Sequence, residues 1–515
     1  MLFNSYIFIF LFLPITVAGF YFIGRSYRYR WALAWLVCAS FVFYGSRNPN
    51  FLPIILGSIL FNYGWGFMIR RASKLMLALG ITANLGGLAY FKYANFLADN
   101  LNIFTSVHIN LDPVVLPLAI SFFTFQQISY LVDVHRGRVP ASGFLNYCLY
   151  VTFFPRLMQG PIAYYAEIMP QFASSEAYRL NLQNLAVGTT IFFFGLFKKV
   201  IIADGLSSFA SPVFEAARSS YILSFLEAWQ GALAYTLQIY FDFSGYSDMA
   251  IGIAFLFGIR LPLNFNSPYQ SLNIIDFWRR WHISLSRFLR DYIYIPLGGN
   301  RKGETLRFIN IMITMLLGGL WHGAAWTFVW WGGLHGLFLI INHGWIKLKK
   351  SLGYEAKAAW TGRICAGALT FIAVTAAWVY FRADTAASAS RILESMAGLN
   401  GFALPEKYLT KFSWFASQLQ KNGIEFREMN YFAGSNEVVY ITAALLIVWL
   451  APNVQQMMNR FEPYLNIMAK AGGITDGPAW LSWRPAIGWA FVLIVCALAS
   501  ILWMSRASDF LYFQF

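Results

Sequence analysis

Long apolar runs recur along this chain with short basic loops between them, and that alternation constrains the fold more than any other feature. A helix needs about 20 mainly apolar residues to cross the hydrocarbon core. Candidate runs fall at residues 3–23, 31–44, 51–69, 75–91, 114–132, 185–202, 222–241, 249–263, 308–341, 364–381, 438–450 and 485–504. With 58% hydrophobic and only 12% charged residues, most of the chain must face lipid or itself, which excludes a water-soluble globule. The expected fold class is an all-α polytopic membrane protein. Residues 147–162 hold Pro155, Gly160 and Pro161 and read as a broken or re-entrant segment, tolerated only when buried in protein.

A net charge of +15 would point to nucleic acid in a soluble protein. Here the basic residues sit in short loops, the pattern of the positive-inside bias, so membrane lipids are the expected surroundings and no nucleic-acid partner is expected. Arg25, Arg28 and Arg30, then Arg70, Arg71 and Lys74, then Arg136 and Arg138 follow alternate runs. Those loops are expected in the cytoplasm, with the N-terminus outside, although Arg47 falls in an outer loop. Lys347, Lys349, Lys350, Lys357 and Arg363 mark another cytoplasmic loop, after which three crossings put the C-terminus outside. No Lys or Arg precedes the first run, so it reads as a permanent helix rather than a cleavable signal. The stretch 382–437, with six basic and six acidic residues, reads as an extracytoplasmic loop or subdomain between a 1–381 transmembrane core and a 438–515 transmembrane extension. Cys38, Cys148, Cys365 and Cys496 are scattered without ligand spacing and read as small apolar side chains.

Three features carry candidate chemistry. In DFWRRWHISLSRFLRDYIY, residues 276–294, Phe277, Trp281, Leu285, Phe288 and Tyr292 recur at helical spacing. This predicts an amphipathic helix at the cytoplasmic interface. Its arginines either contact lipid phosphates or, as Arg279, Arg280 and Arg287, hold a phosphate-rich donor such as coenzyme A. The second feature, residues 316–342, sets His322 among Gly318, Gly319, Gly323, Ala324 and Ala325. An ionisable residue so deep in an apolar run is either a hydrogen-bonded packing group or a functional one, and an imidazole there is a candidate proton acceptor. His335 and His343 read as structural. No histidine pair has helical zinc spacing, so no metal is expected. The third feature, residues 240–249 (YFDFSGYSDM), places Asp242 and Asp248 between two apolar runs. They orient a polar tunnel or a histidine, or cap the next helix, and capping is preferred for Asp248. No G-x-S-x-G elbow is present.

These blocks resemble the membrane-bound O-acyltransferases (MBOAT), and within them the alginate O-acetyltransferase branch. The resemblance runs from FIFLFLP through YFKYANF, ISFFTFQQISYLVDVHRG, FFPRLMQGPI, YFDFSGYSDMAIG, SPYQSLNIIDFWRRWHISLSRFLRDYIYIPLGGNRKG and LLGGLWHGAAWTFVWWGGLHG to FLYFQF. Arg156 in FFPRLMQGPI departs from the alginate-type pattern. The resemblance implies a helical ring around a thin central region, with funnels on both sides. It implies that His322 in LWHG is catalytic and that the family's second characteristic histidine falls on His282 in RRWHISLS, a second catalytic candidate. The implied donor is acetyl-CoA, with no tightly bound cofactor. The implied partner is a periplasmic SGNH-type O-acetyltransferase with its own Ser-His-Asp site, acting on an exopolysaccharide outside the bacterial inner membrane. A D-alanyl or peptidoglycan acyl-transfer protein is the enzymatic alternative, and a transporter or flippase the non-enzymatic one.

Overall fold

The structure is a computed structural model, and it describes residues 1–69, 74–105, 109–112, 114–139, 143–353, 359–411, 413–465, 477–506 and 510–511. Arg70, Arg71, His108, Lys357 and most of the terminal FLYFQF lie outside the described residues. The described fold is helical apart from two short parallel strand pairs, Leu261–Pro262 with Tyr464–Leu465 and Ala403–Pro405 with Glu425–Arg427. Among the described residues, four helices are long and apolar enough to cross a membrane, or five if one bent pair counts as a span.

The chain divides into two compact units that interleave in sequence. The first comprises Met1–Phe197, Ser244–Asn264 and Pro452–Gln514. Within it, helix Leu182–Phe197 and residues 244–256 of helix Phe225–Leu256 cross at glycines: a Cβ on Gly252 would lie 2.6 Å from the Gly188 carbonyl oxygen, and one on Gly195 would lie 2.5 Å from that of Gly245. Only glycine permits that approach, the small-residue device of membrane helix pairs. Asn62 and Asn84 exchange side-chain hydrogen bonds of 2.9 and 2.7 Å between helices Leu52–Ile69 and Lys74–Phe104.

The expected broken segment is present. Helix Phe144–Thr152 stops, Phe154–Leu157 makes one further turn, and the backbone then runs irregularly through buried residues. Carbonyl groups freed by such a break need donors inside protein. Arg156, 0% exposed, supplies them: its guanidinium donates to the carbonyls of Ala163 and Tyr150 and lies 4.6 Å from the centre of the Tyr150 ring.

The second unit comprises Lys198–Phe243, Phe265–Ala451 and Phe515. Helices Glu304–His322 and Trp326–Ser351 form its tightest pair. A Cβ on Gly319 would lie 2.2 Å from the Phe328 carbonyl oxygen, and one on Gly332 would lie 2.4 Å from that of Met315. Lys199, in a π-helical turn at Lys198–Ala203, reaches Asp204 and Asp242, each at 2.8 Å. The 382–437 stretch is folded rather than a bare connection. It contains helix Ala386–Met396, and Met396 and Tyr431 offer carbonyls to Trp229 (3.0 Å) and Gln230 (2.7 Å).

Two expectations are corrected. The runs at 222–241 and 249–263 are joined by one continuous helix, Phe225–Leu256, so Asp248 lies inside it and caps nothing. Gln455 instead donates to the Asp248 carboxylate at 2.7 Å. The stretch 276–294 is not one amphipathic helix. Helix Ile274–Arg280 ends, His282 adopts φ 41° and ψ 52°, and Ile283–Leu289 starts afresh before a π-turn at Arg290–Tyr294. A left-handed residue cannot continue a right-handed helix, and burial of both Trp281 and His282 holds the break.

Candidate active site

His322 is the last residue of helix Glu304–His322, where Gly323 leaves in extended conformation (φ −163°, ψ 153°) before Trp326 opens the next helix. The imidazole is 4% exposed and walled by aromatic rings: Trp321 at 4.9 Å, Phe381 at 5.0 Å and Trp331 at 5.1 Å between centroids. Those walls come from its own helix, from Trp326–Ser351 and from Trp360–Arg382. Close packing at Gly319 and Gly332 fixes the first two helices backbone to backbone. The histidine therefore stands at a chain reversal with little freedom to move.

His282 belongs to the same cluster. It is 0% exposed, and its ring lies 4.7 Å from Phe243 and 6.0 Å from Trp321. Trp321 is a ring neighbour of both histidines. The left-handed backbone at His282, uncommon for a residue other than glycine, turns its side chain inward between two short helices. A strained residue held by its surroundings is a feature concentrated at functional sites.

A third histidine packs beside this cluster. His335, read as structural, is 0% exposed, stacks edge-on at 4.8 Å against Trp331, and accepts a 3.3 Å hydrogen bond from Trp278 Nε1 at its Nδ1. Trp331 thus contacts both His322 and His335. Among the described residues, His335 Nε2 and the indole Nε1 groups of Trp331 and Trp378 are buried without a hydrogen-bond partner. Buried donors left unmatched cost about 1–3 kcal/mol each. Fixed donors of this kind suit the negative charge that develops on a carbonyl oxygen during acyl transfer. The available signal was the i, i+4 spacing of Trp331 and His335 one turn apart.

The three arginines are placed differently from one another. Arg280 is bound by Asp276, its Nε 3.0 Å from both carboxylate oxygens. Arg279 is exposed at the end of the same short helix. Arg287 is half-buried on the next one, beyond the His282 break. No group of metal-binding side chains occurs among the described residues. Asp242, one residue before Phe243, is ion-paired with Lys199 at 2.8 Å.

Comparison with known proteins gives this geometry a context. Residues 71–381 match the model of the MBOAT, membrane-bound O-acyltransferase family. A peptidoglycan O-acetyltransferase from Helicobacter pylori is 45% identical over 78% of this chain and 81% of its own length. A probable alginate O-acetylase, AlgI, from Pseudomonas aeruginosa is 37% identical over 100% of both. A teichoic acid D-alanyltransferase from Streptococcus thermophilus is 28% identical over 47% of this chain and 60% of its own length.

Proposed function

Because this chain belongs to the membrane-bound O-acyltransferase family and is a multi-pass membrane acyltransferase, we propose that it transfers acetyl from cytoplasmic acetyl-CoA for O-acetylation of an exported polysaccharide. The observation that carries this reading is His322, buried at a reversal between two locked helices and walled by aromatic rings, inside the matched span. In this mechanism an acceptor hydroxyl attacks the thioester carbonyl. His322 takes the hydroxyl proton and returns it to the departing thiolate, so that an ester and a free thiol are the products. The aromatic walls exclude water that would hydrolyse the thioester, and the indole donors of Trp331 and Trp378 stabilise the tetrahedral oxyanion. His282 positions the Trp321 wall. Arg279 and Arg287 receive donor phosphates, with Arg280 contributing when it shares its charge with Asp276.

The acceptor is assigned as an exopolysaccharide of the alginate kind, reached through a periplasmic SGNH-type acetyltransferase at the inner membrane. The 1–381 stretch is the proposed core, and 382–437 the proposed contact for that partner. The full-length likeness to a probable alginate O-acetylase supports this choice. The higher identity to a peptidoglycan O-acetyltransferase favours a second reading, in which the acceptor is peptidoglycan.

The test is thioester turnover in proteoliposomes supplied with labelled acetyl-CoA and the soluble partner. His322→Ala, inserted and folded normally, is expected to lower transfer by about 10²-fold or more. A wild-type rate would overturn the assignment. Offering alginate and peptidoglycan fragments in parallel distinguishes the two acceptors.

A further inference from the structure

Away from the histidines, the first unit carries a cavity of about 390 Å³ whose lining includes Arg25, Arg179, Tyr27, Tyr29, Tyr178 and Ser175. The two arginines lie far apart in sequence. One ends the first helical hairpin arm, and the other follows a short 3₁₀ turn at Ser175–Tyr178. Neither guanidinium forms an ion pair among the described residues, and Glu176, in the same turn, pairs with neither. The frame beneath them is rigid. The Tyr178 hydroxyl donates to the Phe172 carbonyl at 2.7 Å, and its ring stacks at 4.3 Å on Tyr29 and 5.3 Å on Phe20. Gly24 packs closely on the Tyr178 ring, where a Cβ would sit 3.0 Å from it. Tyr27 adopts φ 58°, a left-handed turn that carries the chain around the cavity mouth.

The geometry points to a binding site for the phosphate of one anionic phospholipid headgroup. Two arginines on the lining of one cavity supply charge and guanidinium donors for phosphate oxygens. Tyrosine rings with a polar tip and an apolar body suit the headgroup boundary. The cavity is of the size that encloses a small ligand. Positive-inside bias puts Arg25 beside the leaflet where anionic lipids attract basic groups, but binding measured in detergent does not depend on orientation.

Native mass spectrometry of the full-length protein in a neutral detergent, titrated with phosphatidylglycerol, reads this directly. Wild type is expected to retain one tightly held lipid, and Arg25→Gln/Arg179→Gln to weaken it by about 10-fold or more. Phosphatidylcholine is expected to bind more weakly than phosphatidylglycerol and equally to both proteins. If the double variant does not fold, Arg179→Gln, at an exposed position, gives the same readout with a smaller shift. Unchanged affinity in the arginine variants would overturn the site. So would an equal loss in Arg301→Gln/Lys302→Gln, which removes the same charge from another loop. Displacement of the lipid by adenosine 3′,5′-bisphosphate would overturn the lipid source in favour of a soluble phosphate ligand.

Discussion

Arg156 shows how a charge can be structural in a membrane protein. Its two terminal nitrogens donate to the carbonyls of Ala163 and Tyr150, and the group lies over the Tyr150 ring, so it satisfies backbone where a helix breaks. A Cβ on Gly160 would lie 2.3 Å from the Arg156 Cα, which ties the glycine of the same motif to the same break. Arg156→Leu is expected to leave two buried carbonyls without donors, at about 1–3 kcal/mol each. The melting temperature in detergent should fall accordingly, and a value equal to wild type would show that the break is satisfied by other means. The residue was visible in the sequence only as a departure from a family pattern. Its partner Ala163 is seven positions away, and nothing in residue type announces a carbonyl in need of a donor.

At the scale of elements, His322 and the broken 147–162 segment were legible because each carries its own local signal: an ionisable group in an apolar run, and paired prolines around a glycine. The continuity of Phe225–Leu256 was not. Residues 242–248 look like a polar loop until Lys199 neutralises Asp242 and Gln455, 207 positions away, bonds Asp248. Partners so distant leave no trace in a local window. The break at His282 escaped for the opposite reason, since apolar spacing continues across it while one backbone angle changes sign. Gly319, one of the small residues around His322, marks close helix packing. Gly319→Val is expected to separate helices Glu304–His322 and Trp326–Ser351, because its side chain would meet the Phe328 carbonyl. Thermal stability and transfer should fall together. Gly57→Ala, where nothing lies within 4 Å, should leave both unchanged, and a similar loss there would remove close packing as the explanation.

For the molecule as a whole, charge bias remains the guide to orientation. Lys347, ion-paired with Glu304 across the start of one helix and the end of the next, is expected on the cytoplasmic side with both termini outside. Labelling of Lys347→Cys in intact cells by a membrane-impermeant maleimide should therefore fail, and efficient labelling would reverse the topology. The interleaving of the two units has a separate consequence, for biosynthesis. Everything in Lys198–Phe243 and Phe265–Ala451 has been polymerised before Pro452 is added, whereas the first unit, begun at Met1, still lacks its closing helix. That helix, Ile487–Trp503, sets Trp489 against Phe194, with ring centroids 6.4 Å apart. The part of the chain translated first is thus completed last, and nascent Leu182–Phe197 must wait in the bilayer with an unmatched flank for most of translation. Ending the chain after Ala451 should yield a protein that inserts yet is cleared rapidly by membrane proteases, as pulse-chase labelling would show. Supplying residues 452–515 as a separate chain should lengthen its half-life, because the missing flank needs a neighbour and not a peptide bond.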